Sequence, residues 1–443
     1  MQELPLKEAL FLLNCRMSIA ILIVFVLGYI AIAFESVIRL NKAAIALISG
    51  VLCWTILFVN SPQTEIANTA LEEHLATIAG ILFFLLGAMT IVELIDAHDG
   101  FEVITGRIQT TDKRKLLWIV CILTFFLSAL LDNLTTAIVM VTLIRKLLKD
   151  KETRLWFCGM VVIAANAGGA WSPIGDVTTT MLWIGGQISS WQVIIHVFLP
   201  AVTAILVPLL IAGRKMKGQL EFQTEGEGVA SKPETPIRER NIVFYSGLSI
   251  LLLVPVFKTL THLPPYMGML LGLGLIWVIT EIIHSGKDEQ DKNFHSVLYA
   301  IRKADTPSIL FFLGILLSVA ALEASGVLGS MATQLDKTFN SSTLIVSLIG
   351  LLSAIVDNVP LVAASMGMYS MDQYATDHFF WHFLAYCTGV GGSILIIGSA
   401  AGIAAMGIEK IEFFWYLKKI GWLALVGYIS GILVFLLLQF AGF

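Results

Sequence analysis

"LSALLDNLTTAIV", residues 127–139, places Asp132 and Asn133 inside an apolar run that holds no other formal charge from Leu116 to Ile144. A second run, 343–371, has Asp357 as its single charge, within "LSAIVDNVP" (352–360). A carboxylate at the bilayer centre costs roughly 2.5 to 3.5 kcal/mol on insertion scales, so each aspartate is by default a functional residue. How these two runs are threaded decides the fold. The surrounding composition is that of a membrane protein: 57% of residues are hydrophobic and 14% charged, against roughly 25% charged in soluble proteins. Apolar stretches of about 17 to 25 residues recur from residue 17 to residue 440, which suits helices rather than alternating barrel strands.

Ten crossings are expected: 17–34, 43–60, 75–95, 155–190, 191–213, 241–257, 266–283, 307–323, 379–409 and 420–440. The run from Met17 to Phe34 is long, lacks a small-residue cleavage pattern and is followed by Glu35, Arg39 and Lys42, so it reads as a retained helix rather than a signal peptide. The stretches 116–144 and 343–371 remain. As one straight helix each would extend about 44 Å. Loop charge decides against a single crossing of the first. Lys113, Arg114 and Lys115 precede it, and Arg145, Lys146, Lys149, Lys151 and Arg154 follow it. A re-entrant hairpin keeps both clusters cytoplasmic, as the positive-inside tendency asks. With ten crossings and two hairpins, all but Lys7, Arg16, Lys258 and Lys337 of the 28 Lys and Arg fall in cytoplasmic loops. Asp132 and Asp357 then sit at hairpin tips, and Pro360 adds a helix break of its own to the second.

The two halves resemble each other. "LSALLDN" (127–133) aligns with "LSAIVDN" (352–358), and "GGAWSPIGD" (168–176) with "GGSILIIGS" (391–399); "ILFFLLG" (81–87) aligns more loosely with "ILFFLG" (309–314). Five crossings per half is an odd number, so the halves are oppositely oriented. Inverted repeats with broken helices meeting at the midplane mark secondary transporters. The expected fold is therefore an all-α polytopic membrane protein of two inverted-topology repeats, each with five transmembrane helices, one of them discontinuous, plus one re-entrant helical hairpin. Residues 1–213 form the first repeat, with hairpin 116–144 and broken helix 155–190. Residues 214–240 form a polar cytoplasmic linker. Residues 241–443 form the second repeat, with hairpin 343–371 and broken helix 379–409.

The candidate chemistry lies at the breaks. Asp132, Asn133, Thr135 and Thr136 gather oxygens at one tip, and hard cations such as Na⁺ need such clusters, to which carbonyls freed at a helix break can add. Asp and Asn also cap helices, and that role can coexist with ion binding. "NAGGAWSPIGDVTTT" (166–180) breaks its helix through Gly168, Gly169, Pro173 and Gly175; Asp176 then starts the second half-helix, followed by Thr178, while Asn166 can face the gap. In the second half Gly391, Gly392 and Gly398 break the helix, Ser399 replaces Asp176, and Asp357 with Asn358 repeats the acidic tip. The Na⁺ ligands expected are Asp132, Asn133, Asp176 and Asp357. Glu93 and Glu323, near helix ends, rank below them. Burial disfavours a charged carboxylate while a nearby cation favours it. Proton and Na⁺ thus compete for the same oxygens, and alternate exposure of the site turns that competition into exchange.

"ALLDNLTTAIVM" and "NAGGAWSPIGDVTTTMLW" resemble the NhaD-type sodium/proton antiporters of the wider ion transporter superfamily, a group that also holds sodium-coupled dicarboxylate carriers and arsenite permeases. The similarity extends over nearly the whole membrane region. The resemblance implies two hairpins and two discontinuous helices around a central site, a homodimer, and extrusion of Na⁺, often also Li⁺, driven by inward proton movement in pH homeostasis. The dicarboxylate carriers have Ser-Asn-Thr at their tips, where this chain has Asp132-Asn133-Leu134-Thr135 and Asp357-Asn358-Val359-Pro360; added negative charge favours a cation. The alternative reading is a Na⁺-coupled carboxylate or arsenite-like oxyanion carrier of the same superfamily.

An enzyme is not expected. The intramembrane aspartyl proteases use Gly-x-Gly-Asp and Tyr-Asp, whereas this chain has Pro173-Ile174-Gly175-Asp176 and no Tyr-Asp pair. It also lacks H-E-x-x-H, G-x-S-x-G and a phosphate loop. The net charge of -4 and the dispersed Lys and Arg argue against nucleic acid. Five isolated cysteines read as packing residues, and the eight histidines lie mostly in loops or near helix ends. No cofactor is expected beyond the transported Na⁺ and H⁺. The expected partners are membrane lipid and a second copy of the chain, in a bacterial inner membrane with N- and C-termini periplasmic.

Overall fold

The computed structural model describes residues 3–33, 38, 40–61, 64–105, 110–216, 218–219, 235–286 and 295–442. Most of the linker read at 214–240 therefore lies outside the described residues. Among the described residues the chain is helical, with no strand. Eight helices among the described residues are long and apolar enough to cross a bilayer: Lys42–Asn60, Thr64–Ala97, Lys113–Leu131, Ser190–Lys215, Ile237–Thr261, Pro265–His284, Thr306–Ala324 and Phe413–Phe440. The chain is an integral membrane protein.

Seven of the eight coincide with crossings read from sequence. The exception, Lys113–Leu131, is long enough to cross by itself, although the sequence reading makes it one hairpin arm. The helix read at 17–34 extends back to Glu3, and the one read at 75–95 begins at Thr64. The added stretch, "TEIANTALEEH", is polar but rich in strong helix formers, and propensity carries the helix past its apolar part. Val327–Phe339 is a helix that no sequence expectation named. Its apolar and polar residues alternate by face, so it never forms a continuous apolar run.

Packing divides the chain into two compact units, residues 1–82, 305–345 and 359–375 in one, and 83–304, 346–358 and 376–443 in the other. In the first, Lys42–Asn60 packs on Thr306–Ala324. A Cβ on Gly314 would collide with the backbone of Ala46, so glycine sets how closely these helices approach, as small residues do between membrane helices. Trp54 Nε1 donates to the Leu317 carbonyl (2.9 Å). In the second unit Ser190–Lys215 packs along Trp422–Phe440, again through glycine, with Gly427 against Ala204. Tyr386 Oη donates to the Tyr428 carbonyl at 2.9 Å. Arg154 Nε meets Glu409 at 2.6 Å. Cys53, Cys121, Cys158 and Cys387 are free and buried.

Among the described residues, four helices are interrupted. Lys113–Leu131 gives way at Asp132 to Asn133–Leu147, and Lys151–Gly169 resumes as Val177–Ile184. Ser342–Leu352 resumes as Asn358–Met368, and Phe379–Gly391 as Ala400–Glu409. These are the positions at which sequence places the tips and the glycine breaks.

Candidate functional site

Asp132 adopts φ 85° and ψ 158°, a region that costs a non-glycine residue on the order of 1 to 3 kcal/mol. What the conformation achieves is a cap. Its Oδ1 accepts from the Thr135 amide and its Oδ2 from the Thr135 hydroxyl, both at 2.8 Å. Capping does not exhaust such a group, because a carboxylate offers about four acceptor sites. Asn133, next in sequence, is buried and turns inward instead, its Nδ2 donating to Asn166 Oδ1 at 3.1 Å. Thr136, also buried, has a hydroxyl with no hydrogen-bond partner.

The two glycine-broken helices are built alike. A Cβ on Gly168 would strike the backbone of Phe125, and one on Gly391 the carbonyl of Gly350. Gly169 faces Gly175 and Asp176, as Gly392 faces Gly398 and Ser399; Gly175 lies on the Ser128 carbonyl and Gly398 on Ala354. Ser128 Oγ donates to the Ala165 carbonyl (2.6 Å), and Ser353 Oγ lies between its own Gly350 carbonyl (2.7 Å) and the Thr388 carbonyl (3.1 Å). Each of these side chains ties the helix before a tip to the first half of the neighbouring broken helix. Pro173 lies in the first gap, and its carbonyl accepts from Thr180 Oγ1 at 3.1 Å.

The residue that opens each second half-helix has the same backbone and different chemistry. Asp176 (φ -145°) caps Val177–Ile184, its Oδ1 accepting from the Thr178 amide at 3.4 Å. Ser399 (φ -146°) caps Ala400–Glu409, its Oγ accepting from the Gly402 amide at 3.2 Å. The caps are drawn into a network that runs between segments. Asn166 Nδ2 donates to Ser399 Oγ (2.9 Å), and Asn358 Nδ2 donates to Asp176 Oδ2 (3.0 Å). Asn133, Asn166, Asp176, Thr178, Asn358 and Ser399 are all buried. Asp132 and Asp357 are half-buried, and both lie within electrostatic reach of Asp176.

The structure thus gathers Asp132, Asn133, Asn166, Asp176, Asp357 and Asn358 in one neighbourhood of the second unit, with Thr135, Thr136 and Thr178 attached to it. Among the described residues no three His, Cys, Asp or Glu side chains form a metal-holding group. A cation here would have to share amide, hydroxyl and backbone oxygens, which suits a hard, weakly held ion. Glu93 is not part of the network; it stands near Asp96 and Lys303. Glu323 is exposed in the other unit, beside Gly367. Sequence reasoning passed over Ser128 and Ser353, although each is the second residue of the repeated "LSA". It also missed Lys258, whose Nζ donates to the Trp183 carbonyl (2.8 Å) at the far end of the half-helix that Asp176 begins.

Comparison with known proteins is consistent over nearly the whole chain. The family described as "Citrate transporter" matches residues 29–389. The chain is 50% identical over 419 residues to "Sodium/proton antiporter 1" of Arabidopsis thaliana, covering 95% of the chain and 72% of that protein. It is 45% identical to "Sodium/proton antiporter 2" of the same plant, covering 94% and 98%. To "Na(+)/H(+) antiporter NhaD" of Vibrio cholerae it is 31% identical, covering 99% and 95%.

Proposed function

Since the chain belongs to the citrate transporter family, we propose that it is a secondary active transporter that exchanges cytoplasmic Na⁺, and Li⁺ in its place, for external H⁺ by alternating access. It is a transporter and not an enzyme. The relatives named above as sodium/proton antiporters support the ion pair. The observation that carries the mechanism is the buried Asp176, bonded to Asn358 and within electrostatic reach of both Asp132 and Asp357. Asp132 and Asp357 both act electrostatically on the buried Asp176, and a cation or a proton among the three carboxylates relieves their repulsion. Na⁺ entry favours the ionised oxygens and displaces protons; proton entry does the reverse. The same charge repels citrate or an oxyanion, so the family description's substrate is not the one favoured here.

The finer architecture is part of the same proposal. The matched contacts of Gly168 and Gly391, and of Ser128 and Ser353, support two repeats, 1–213 and 241–443, joined by the 214–240 linker. Odd crossing number and loop charge support their opposite orientation, with re-entrant tips at Asp132 and Asp357 and both termini on the face away from the cytoplasm. The exposed apolar side chains of the spans, Leu27, Val59 and Leu437 among them, support lipid contact. The protein works as a homodimer and without a resident cofactor.

The test is exchange itself. Inside-out vesicles acidified by respiration should lose their pH gradient on addition of NaCl or LiCl, and not on addition of citrate. A gradient indifferent to NaCl between pH 6 and 9 rules the proposal out.

A further inference from the structure

Lys258 is one of the four basic residues that the loop-charge reading leaves outside the cytoplasmic loops, against the positive-inside tendency. It is half-buried near the end of Ile237–Thr261. A lysine at a helix end ordinarily turns its ammonium to water; this one turns inward. Its Nζ donates to the Trp183 carbonyl at 2.8 Å and stands 4.6 Å from the centroid of the Trp183 ring. Trp183 is fully buried, its ring edge-to-face with Phe84 at 6.2 Å, and its Nε1 has no hydrogen-bond partner. A buried indole ordinarily places its N–H on an acceptor. Here the donor is unmet while the face meets an ammonium, the contact for which indole is the best of the aromatic rings. Trp183 is the penultimate residue of Val177–Ile184, the half-helix that Asp176 opens. The cation therefore sits at the negative end of that helix dipole, opposite the end that joins the carboxylate network.

The other broken helix also ends on basic side chains, but these come from a different place. The Ile408 carbonyl accepts from Arg145 Nη1 at 3.3 Å, and Glu409 meets Arg154. Arg145 and Arg154 belong to Asn133–Leu147 and Lys151–Gly169, the segments that carry Asn133 and Asn166 of the buried network. Their bonds stay within the group of helices that builds the site. Lys258 comes from a helix that gives the network no residue. Ile237–Thr261 packs mainly along Pro265–His284 and more lightly on Lys113–Leu131, and Lys258 hydrogen-bonds it to the broken helix. A site that opens to the two sides of a membrane in turn shifts against its surroundings. Bonds inside the moving group survive that shift, whereas a bond across its boundary is made in one position and broken in the other.

We infer that Lys258 is a positioning residue that docks the half-helix of Asp176 onto Ile237–Thr261 in one access state and releases it in the other. The docking rests on the geometry, and its place in a cycle rests on the alternating-access reading above. Lys258 lies at the opposite end of the half-helix from Asp176, so it acts on the equilibrium between states rather than on the ion. The apparent affinity at each face is the intrinsic one scaled by the fraction of molecules open to that face. Removing the tie lowers the docked fraction and raises the other, so the two faces respond with opposite sign. Loss of packing alone lacks this signature, because a loosened site is weakened from both faces.

Two measurements test this. The KM for Na⁺ is measured with Na⁺ varied on one face of oriented vesicles and then on the other. In Lys258→Met it should fall about fivefold at the face opened by the undocked state, as that state rises from about a tenth to about a half of the molecules, and should rise at the other face. Lys258→Arg, which still donates to the carbonyl and stacks on the ring, should return both values to within about twofold of wild type. A KM that moves the same way at both faces, or at neither, overturns the docking role. Lys258→Gln, neutral and still polar, serves where Lys258→Met is not recovered folded. Independently, nitroxides at the exposed positions Gly185→Cys and Leu260→Cys, with Cys15→Ser and the buried thiols left in place, report the dipolar coupling between the two helix ends in purified protein. Wild type should be mostly strongly coupled, and Lys258→Met should gain a second, weakly coupled component. Identical coupling in the two overturns the docking without any transport assay. A gained component in a protein that moves no Na⁺ upholds the docking and defeats the exchange reading instead.

Discussion

Gly168 rests on the backbone of Phe125 and Gly391 on that of Gly350, residues whose positions correspond in the two halves. The hydroxyls of Ser128 and Ser353 reach the corresponding neighbouring helices, Ser353 while also bonded to its own Gly350 carbonyl. At the next step the halves diverge: the second half-helix is capped by the Asp176 carboxylate in one and by the Ser399 hydroxyl in the other. The backbone of the two breaks is held in common, while charge is placed in one. Geometry that lets helices stop inside a bilayer must be met twice, because unbonded backbone is costly at either site. At this cap position a buried carboxylate is supplied only once, while each half still contributes one tip aspartate, Asp132 or Asp357.

That division of labour can be broken in order of expected effect. Asp176→Asn, and separately Asp132→Asn, should reduce Na⁺/H⁺ exchange at least about 100-fold with insertion intact, the scale expected when an essential acid–base group is removed. The measurement is Na⁺-induced gradient dissipation in vesicles matched for protein content. Asp357→Asn, which leaves Asp176 and its Asn358 partner in place, should lower exchange by about tenfold, one hydrogen-bonded charge's worth of site energy. Ser399→Ala removes the acceptor of Asn166 and a cap, and should raise the KM for Na⁺ about threefold to tenfold. Ser128→Ala and Ser353→Ala should each lower thermal stability by about 1 kcal/mol and to a similar extent, with exchange changed less than about twofold. Unequal losses would show that the two scaffolds are less alike than their contacts. Glu323→Gln, exposed in the other unit, should leave both stability and exchange where they were.

Much of this was legible in the sequence, and what was not has a physical reason. A lone carboxylate in an apolar run and paired glycines beside a proline announce helix breaks by their cost, so Asp132, Asp176 and Asp357 stood out at once. The partnerships could not be read, because the bonds of Asn133 with Asn166, Asn166 with Ser399 and Asn358 with Asp176 join segments 33, 233 and 182 residues apart. Ser128 and Ser353 were overlooked because a serine in an apolar helix ordinarily returns its hydroxyl to its own backbone. Their repetition within "LSA" was the available signal. The long start of Thr64–Ala97 and the helix Val327–Phe339 escaped for a different reason, as a search for apolar runs does not see helices sustained by propensity or by one apolar face.

The central claim is that Na⁺ and protons compete for the carboxylates gathered around Asp176. It is tested most directly by adding NaCl to purified, weakly buffered protein and recording the pH. Wild type should release protons on binding Na⁺, with an apparent affinity that weakens as the starting pH is lowered, and Asp176→Asn should release none. Na⁺ binding by the wild type with no proton release, or equal release from the variant, would contradict the account.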